Sequence, residues 1–156
     1  EIFMAQDIDK TDKRLLSELQ NNSARSVGDI ADTVGISKTA AWRRIKKLIG
    51  SGVIKSQVAL LDPTKLKLPL TAYISLRTSQ HNEAWFQNFK DVLNTIPEVL
   101  EVYRMSGELD YLIKAHVCDM AGYDQLYKQL IKAELNDVNC SFVMETLKHT
   151  TQPPLS

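Results

Sequence analysis

The stretch Val27–Gly52, VGDIADTVGISKTAAWRRIKKLIGSG, constrains the fold more than any other part of the chain. A short apolar-periodic segment, a tight turn at Gly35-Ile36-Ser37 and a longer segment with a basic, hydroxyl-bearing outer face are the parts of a helix-turn-helix. Ser26 is the expected N-cap of the first helix, with Asp29 three residues on in a near capping box and Val27, Ile30, Ala31 and Val34 turned inward. Gly35 offers the left-handed conformation that a helix end favours, and Ser37 can cap the next helix at once. At about 100° per residue, a helix from Lys38 to about Ile49 gathers Ala41, Ile45, Leu48 and Ile49 on one arc. Thr39, Arg43, Lys46 and Lys47 fall on the opposite arc, and Trp42 lies at the border. A further helix, Asp12 to about Gln20 with Thr11 as N-cap and Leu15, Leu16 and Leu19 inward, precedes both.

The formal net charge of zero hides a split. Residues 12–56 hold nine Lys/Arg against four Asp/Glu, a net of +5, whereas residues 57–156 hold nine against twelve, a net of −3. A basic module that meets a polyanion, joined to a module with another task, accounts for this better than a uniform surface. Ser37, Lys38, Thr39, Trp42, Arg43, Arg44, Lys46 and Lys47 are therefore the candidate DNA-binding residues. Ser37, Thr39 and Arg43 are placed for bases or nearby phosphates, and Arg44, Lys46, Lys47 and Lys55 for phosphates.

Beyond Gly52 the pattern changes. GVIKSQVALLD reads as a strand leaving the basic module and stopping at Asp62-Pro63. Then follow a strand Leu70–Leu76, a helix Glu83–Leu93 with Phe86, Phe89, Val92 and Leu93 inward, a strand Val99–Met105, a turn at Ser106-Gly107-Glu108 and a strand Tyr111–Val117. A helix from about Ala121 to Ala133, with Tyr123, Leu126, Tyr127, Leu130 and Ile131 on one side, and a strand from Val138 to about Leu147 complete the order. This is a ferredoxin-like βαββαβ arrangement with both helices on one face of an antiparallel sheet. The other face, expected to be apolar, is left to dimerise or bind. The fold class is thus α+β: a winged-helix-like helix-turn-helix domain at 8–56, a strand linker at 57–69 and a ferredoxin-like αβ-sandwich at 70–150.

Two separated motifs, IDKTDKRLLSELQNNSARSVGDIADTVGISKTAAWRRIKKLIGSGVI and VYRMSGELDYLIKAHVCDM, together resemble the Lrp/AsnC family of bacterial and archaeal regulators across Ile8 to Lys148. The resemblance implies a C-terminal domain that dimerises and assembles further, often to octamers, around an amino-acid effector. It places Met105-Ser106-Gly107-Glu108-Leu109-Asp110-Tyr111 at the hairpin near the effector pocket, at the contact between dimers. Gly107 allows an unusual backbone and close ligand approach, with exposed N–H groups for an α-carboxylate and Asp110 for an α-ammonium. The alternative is a plain β-turn in which Asp110 satisfies backbone amides. Met105, Met120 and Phe142 are candidates for an apolar side-chain pocket, although each alone also suits a core. The resemblance adds Arg104, Ser141 and Val143 near the same pocket, and Glu108 belongs to the hairpin.

Catalytic readings find little support. His81, His116 and His149 fall on a loop, a strand and a tail, and no nucleophile, paired-carboxylate or phosphate-loop arrangement can be assembled from local spacing. Cys118 and Cys140 carry no metal-ligand spacing and suit a reducing cytoplasm. The N-terminus EIFMAQD, with Met4 as the natural start, has no secretory signal, and no apolar run approaches membrane-spanning length. The expectation is a cytoplasmic, non-enzymatic regulator of amino-acid metabolism that binds double-stranded DNA, uses no metal or cofactor, and responds to leucine or methionine. A sirohaem-decarboxylase-like enzyme on the same architecture and a constitutive regulator are the alternatives.

Overall fold

The computed structural model describes residues 8–80 and 82–155; Met4 and His81 lie outside them. The chain divides into two compact units, one running to Leu60 and rejoined by the tail from Lys148, the other spanning Leu61–Leu147. The boundary falls inside the expected linker at 57–69. Within the first unit the Gln152 side-chain amide donates to Asn21 Oδ1 at 3.0 Å.

The first unit contains α1 (Lys10–Asn21), α2 (Val27–Val34) and α3 (Lys38–Gly50) around Leu15, Ile30, Ala31, Val34 and Ala41. Helix α1 starts earlier than expected. Its N-cap is Asp9 rather than Thr11, because Asp9 and Asp12 form a reciprocal capping box, with Asp12 N–H donating to Asp9 Oδ1 at 2.8 Å. Ile49, expected on the packing arc, is 44% exposed, so the buried face of α3 is Ala41, Ile45 and Leu48.

The strand expected over residues 52–62 does not form in the single chain. Val58, Leu60 and Leu61 are largely exposed, and no neighbouring strand among the described residues offers this segment a hydrogen-bonding ladder.

The second unit is a four-stranded antiparallel sheet with order β2-β3-β1-β4, from β1 (Leu70–Arg77), β2 (Val99–Arg104), β3 (Tyr111–Val117) and β4 (Asp137–Phe142). Helices α4 (Glu83–Asn94) and α5 (Met120–Leu130) contribute to the same core. Strict alternation buries Tyr111, Ile113, Ala115 and Val117 of β3 and Ala72, Ile74 and Leu76 of β1. Over them lie Trp85 and Phe89 of α4, stacked with ring centroids 5.0 Å apart, and Leu126 and Leu130 of α5. The Trp85 indole N–H donates to the Ala133 carbonyl at 2.8 Å, which satisfies its one polar atom in the core.

Three expectations in this unit need correction. Helix α5 begins at Met120 and gives way to a 3-10 turn at Ile131–Ala133. Strand β4 stops at Phe142 rather than near Leu147, because Phe142 pairs with Ala72 and β1 itself begins at Leu70, so its partners run out. The free face of the sheet is mixed rather than uniformly apolar, with Tyr73, Tyr103 and Leu112 among polar groups. There Lys114 Nζ and Tyr103 Oη both donate to Glu101, at 3.0 and 2.5 Å, and Thr71 Oγ1 lies 3.0 Å from His116 Nδ1. Those hydrogen bonds hold the Glu101 carboxyl below its ordinary range, while burial, followed by the nearby Lys114 charge, lowers His116.

Candidate functional site

Two local signals build the helix-turn-helix. Gly35 takes φ 77° and ψ 40°, a left-handed conformation that favours glycine. Its N–H bonds to Asp32 O at 3.2 Å and the next N–H, of Ile36, to Ala31 O at 3.0 Å, a Schellman closure that folds Ile36 back against the core. Ser37 Oγ then accepts from Ala40 N–H at 3.1 Å and starts α3 without an intervening loop. The turn is therefore hydrogen-bonded on both sides.

Lys38, Thr39, Trp42, Arg43, Lys46 and Lys47 are all exposed along α3, as are Ser37 and Lys55 beyond its ends. Among the described residues Lys38, Arg43, Lys46 and Lys47 have no acidic partner within 4.0 Å. Trp42 is 55% exposed and its ring lies beneath Lys46 Nζ at 5.1 Å, which puts it on the outward side and removes it from the packing face.

Arg44 behaves differently from its neighbours. Its Nη1 donates to Asp9 Oδ2 at 2.6 Å and to Asp12 Oδ1 at 2.8 Å, tying α3 to the start of α1. Those bonds, Asp12 first, raise the guanidinium above its ordinary value, whereas the Asp12 backbone N–H and Arg44 lower Asp9. Arg44, expected at a phosphate, is thus paired with two carboxylates and clamps α3 to α1. Replacing Arg44 by Ala is expected to destabilise the first unit by about 1–3 kcal/mol, because buried Asp12 loses its charged donor. Urea titration of Arg44→Ala beside Arg43→Ala checks this; equal stabilities would contradict the clamp.

The hairpin after β2 closes through Met105 N–H to Asp110 O at 2.8 Å, and Gly107 takes φ 110° at its tip. A Cβ added there would meet nothing within 4 Å, so the glycine answers a backbone requirement rather than crowding within the chain. The Asp110 carboxylate accepts the Thr78 backbone N–H at 2.7 Å, and its own N–H donates to Leu76 O at 3.0 Å. Asp110 thus fastens the hairpin to the end of β1 through one carboxylate oxygen and its own N–H. Glu108 is exposed, 3.7 Å from Arg77.

The expected effector residues do not form one pocket within a chain. Met105, Gly107, Glu108 and Asp110 lie at the Leu76 end of β1, whereas Phe142 pairs with Ala72 and Val143 N–H donates to Thr71 O at 2.9 Å. Four residues of extended strand separate Ala72 from Leu76, about 13 Å. Met120 follows β3 at the far end, and Phe142 is edge-on to Tyr123 at 5.1 Å as part of the core margin. Ser141 pairs with Tyr73 between the two ends. Arg104 pairs with Tyr111 at the hairpin end of the sheet and lines a groove beside α4. Sequence reasoning missed the groove, because it lies between elements distant in the chain.

Among the described residues no group of three or more His, Cys, Asp or Glu could hold a metal ion, and no helix is long and apolar enough to cross a membrane.

Comparison with known proteins also gives two parts. Residues 8–49 match the AsnC-type helix-turn-helix domain and residues 71–153 the Lrp/AsnC ligand binding domain. The chain is 41% identical over 150 residues to the DNA-binding transcriptional activator DecR of Escherichia coli (strain K12), covering 95% of this chain and 99% of the relative. An AsnC family transcriptional regulator from Agrobacterium tumefaciens superposes with a TM-score of 0.88 at 45% identity, over 94% of this chain and 96% of that one. A Neisseria meningitidis transcriptional regulator in complex with L-Met superposes with a TM-score of 0.87 at 30% identity, over the same shares of the two chains.

Proposed function

Because the chain belongs to the Lrp/AsnC family of DNA-binding transcriptional regulators, proteins that are not enzymes, we propose that α3 reads operator DNA and that an apolar amino acid, methionine or leucine, sets the strength of that binding. The observation that carries the reading is the outer face of α3, where Thr39, Arg43, Lys46 and Lys47 stand exposed beside a turn locked by Gly35 and Ser37. A helix fits the major groove, and an Arg at its N-terminal half reaches the O6 and N7 acceptors of guanine. Thr39 and Arg43 take base edges, Ser37, Lys38, Lys46, Lys47 and Lys55 take phosphates, and Trp42 lies against the groove wall.

The protein works in the cytoplasm as a homodimer that assembles to an octamer. The separation of the effector residues supports this: the Gly107 hairpin of one chain needs Ser141, Val143 and Met120 from a second copy to enclose a ligand. The hairpin N–H groups receive the α-carboxylate, and the methionines line the side-chain pocket. Methionine is favoured by the L-Met bound to the Neisseria relative and by those methionines. Coupling between ligand and DNA of about 1–3 kcal/mol corresponds to roughly 5- to 150-fold in affinity.

Calorimetry against the twenty amino acids, with mass measured by light scattering, tests the effector reading. At least one amino acid, methionine or leucine first, should bind and change either mass or DNA affinity, and Gly107→Arg should abolish that binding. No binder at millimolar concentration would leave a constitutive regulator.

A further inference from the structure

The second unit has another concavity, on the helix side of the sheet. Strand β2 is an edge strand, and α4 covers its neighbours better than it covers β2 itself. The trough left between them has a volume of about 330 Å³ and an apolar floor of Phe86, Phe89, Leu93 and Tyr111. Its polar margin is Lys90 and Arg104, with the neutral Asn94. No carboxylate lines it, and among the described residues neither cation has an acidic partner within 4.0 Å. Lys90 Nζ is held 5.5 Å from the Phe86 ring centroid.

Two uncompensated cations above a low-dielectric floor make a local positive potential, which an anion relieves. Arg104 offers the planar fork that a carboxylate matches in two parallel hydrogen bonds, and Lys90 adds a second positive charge. The aromatic and leucine floor takes a branched or aromatic tail, and the volume is at the small end of ligand pockets, about 300–1,000 Å³. A free amino acid fits this chemistry poorly: its ammonium would face two cations and no carboxylate, and would lose hydration without a replacement.

We infer that the groove between α4 and β2 is a second ligand site, which takes a small apolar monocarboxylate lacking a cationic amino group. Arg104 holds the carboxylate, Lys90 adds the second positive charge, and Phe86, Phe89 and Leu93 hold the tail. The site is distinct from the hairpin pocket and does not rest on an amino acid binding there. A 2-oxo acid and a simple fatty acid share the required chemistry, so the regulator would sense the deaminated or the fully reduced counterpart of an apolar amino acid.

Three molecules with one tail separate the cases: 4-methyl-2-oxopentanoate, 4-methylpentanoate and L-leucine. Each is titrated into the full-length protein by calorimetry and by fluorescence in a Trp42→Phe background. There the remaining indole, Trp85, lies 5.0 Å from Phe89 and 5.9 Å from Tyr111 of the groove floor. At least one of the two acids should bind with a Kd of roughly millimolar or tighter. Loss of a charge-assisted contact should weaken it roughly tenfold in Arg104→Gln and several-fold in Lys90→Gln. Binding of the oxo acid alone identifies a site that also recognises the 2-oxo group; equal binding of both acids identifies one that reads the carboxylate and tail only. Gly107→Arg should leave the acid binding in place while abolishing amino-acid binding, so failure at either site is seen separately. No binding of either acid at about 10 mM, unchanged affinity in both groove variants, or leucine binding abolished by Arg104→Gln but not by Gly107→Arg would each overturn the assignment. A groove covered instead by a second copy would show as a lower mass of Arg104→Gln with no response to either acid.

Discussion

The double variant Arg43→Ala, Lys46→Ala is expected to lose operator affinity by two orders of magnitude or more at moderate salt while keeping its fold. A bidentate contact from Arg43 to a guanine edge is worth about 1–3 kcal/mol, and loss of a phosphate contact at Lys46 should lower the salt slope by about 1. In a dimer both losses count twice. Both side chains are exposed and bond to nothing in the core, so the melting temperature should stay within a degree or two of wild type by the usual size of surface effects. Fluorescence anisotropy at two salt concentrations separates the contributions, since Arg43→Ala alone should relax sequence preference and Lys46→Ala alone should weaken all sequences alike. Unchanged affinity in the double variant would mean that α3 is not the reading helix.

Phe89→Ala should be the most damaging single change in the second unit, destabilising it by about 3–5 kcal/mol. The ring is 1% exposed, stacked on Trp85 at 5.0 Å and edge-on to Tyr111 at 5.0 Å. Its removal opens a cavity where α4 meets β3 and also cuts the floor of the groove. Because the first unit has its own core around Leu15 and Ile30, the loss belongs to the ligand-binding half. Urea denaturation followed by Trp85 emission in the Trp42→Phe background would resolve it, and a loss under about 1 kcal/mol would contradict the central place given to this ring.

Much of this was legible in the sequence for a physical reason. Caps, turn glycines and alternation act within four or five residues, so Ser26, Ser37, Gly35 and the βαββαβ order could be read directly. The basic outer face of α3 followed from helical periodicity alone. Local preference is overridden where the deciding partner is remote. Thr11 was a fair cap by composition, but Asp9 prevails because Asp12 and, 35 residues on, Arg44 complete its hydrogen bonds. The segment at 52–62 has the composition of a strand and no strand beside it.

The sequence by itself determined the two kinds of module, the locked turn between α2 and α3, and the hairpin glycine, since each depends on the conformational preference of neighbouring residues. Only the tertiary structure decided which charges remain available. Five basic residues share α3, and packing against α1 withdraws Arg44 while leaving Lys38, Arg43, Lys46 and Lys47 to a partner. It also placed the hairpin and the end of β4 at opposite ends of the sheet, and brought Lys90 and Arg104 to one apolar groove. Side-chain identity fixes what a residue can do, but electrostatic compensation and burial, set by distant parts of the chain, fix what it is left to do.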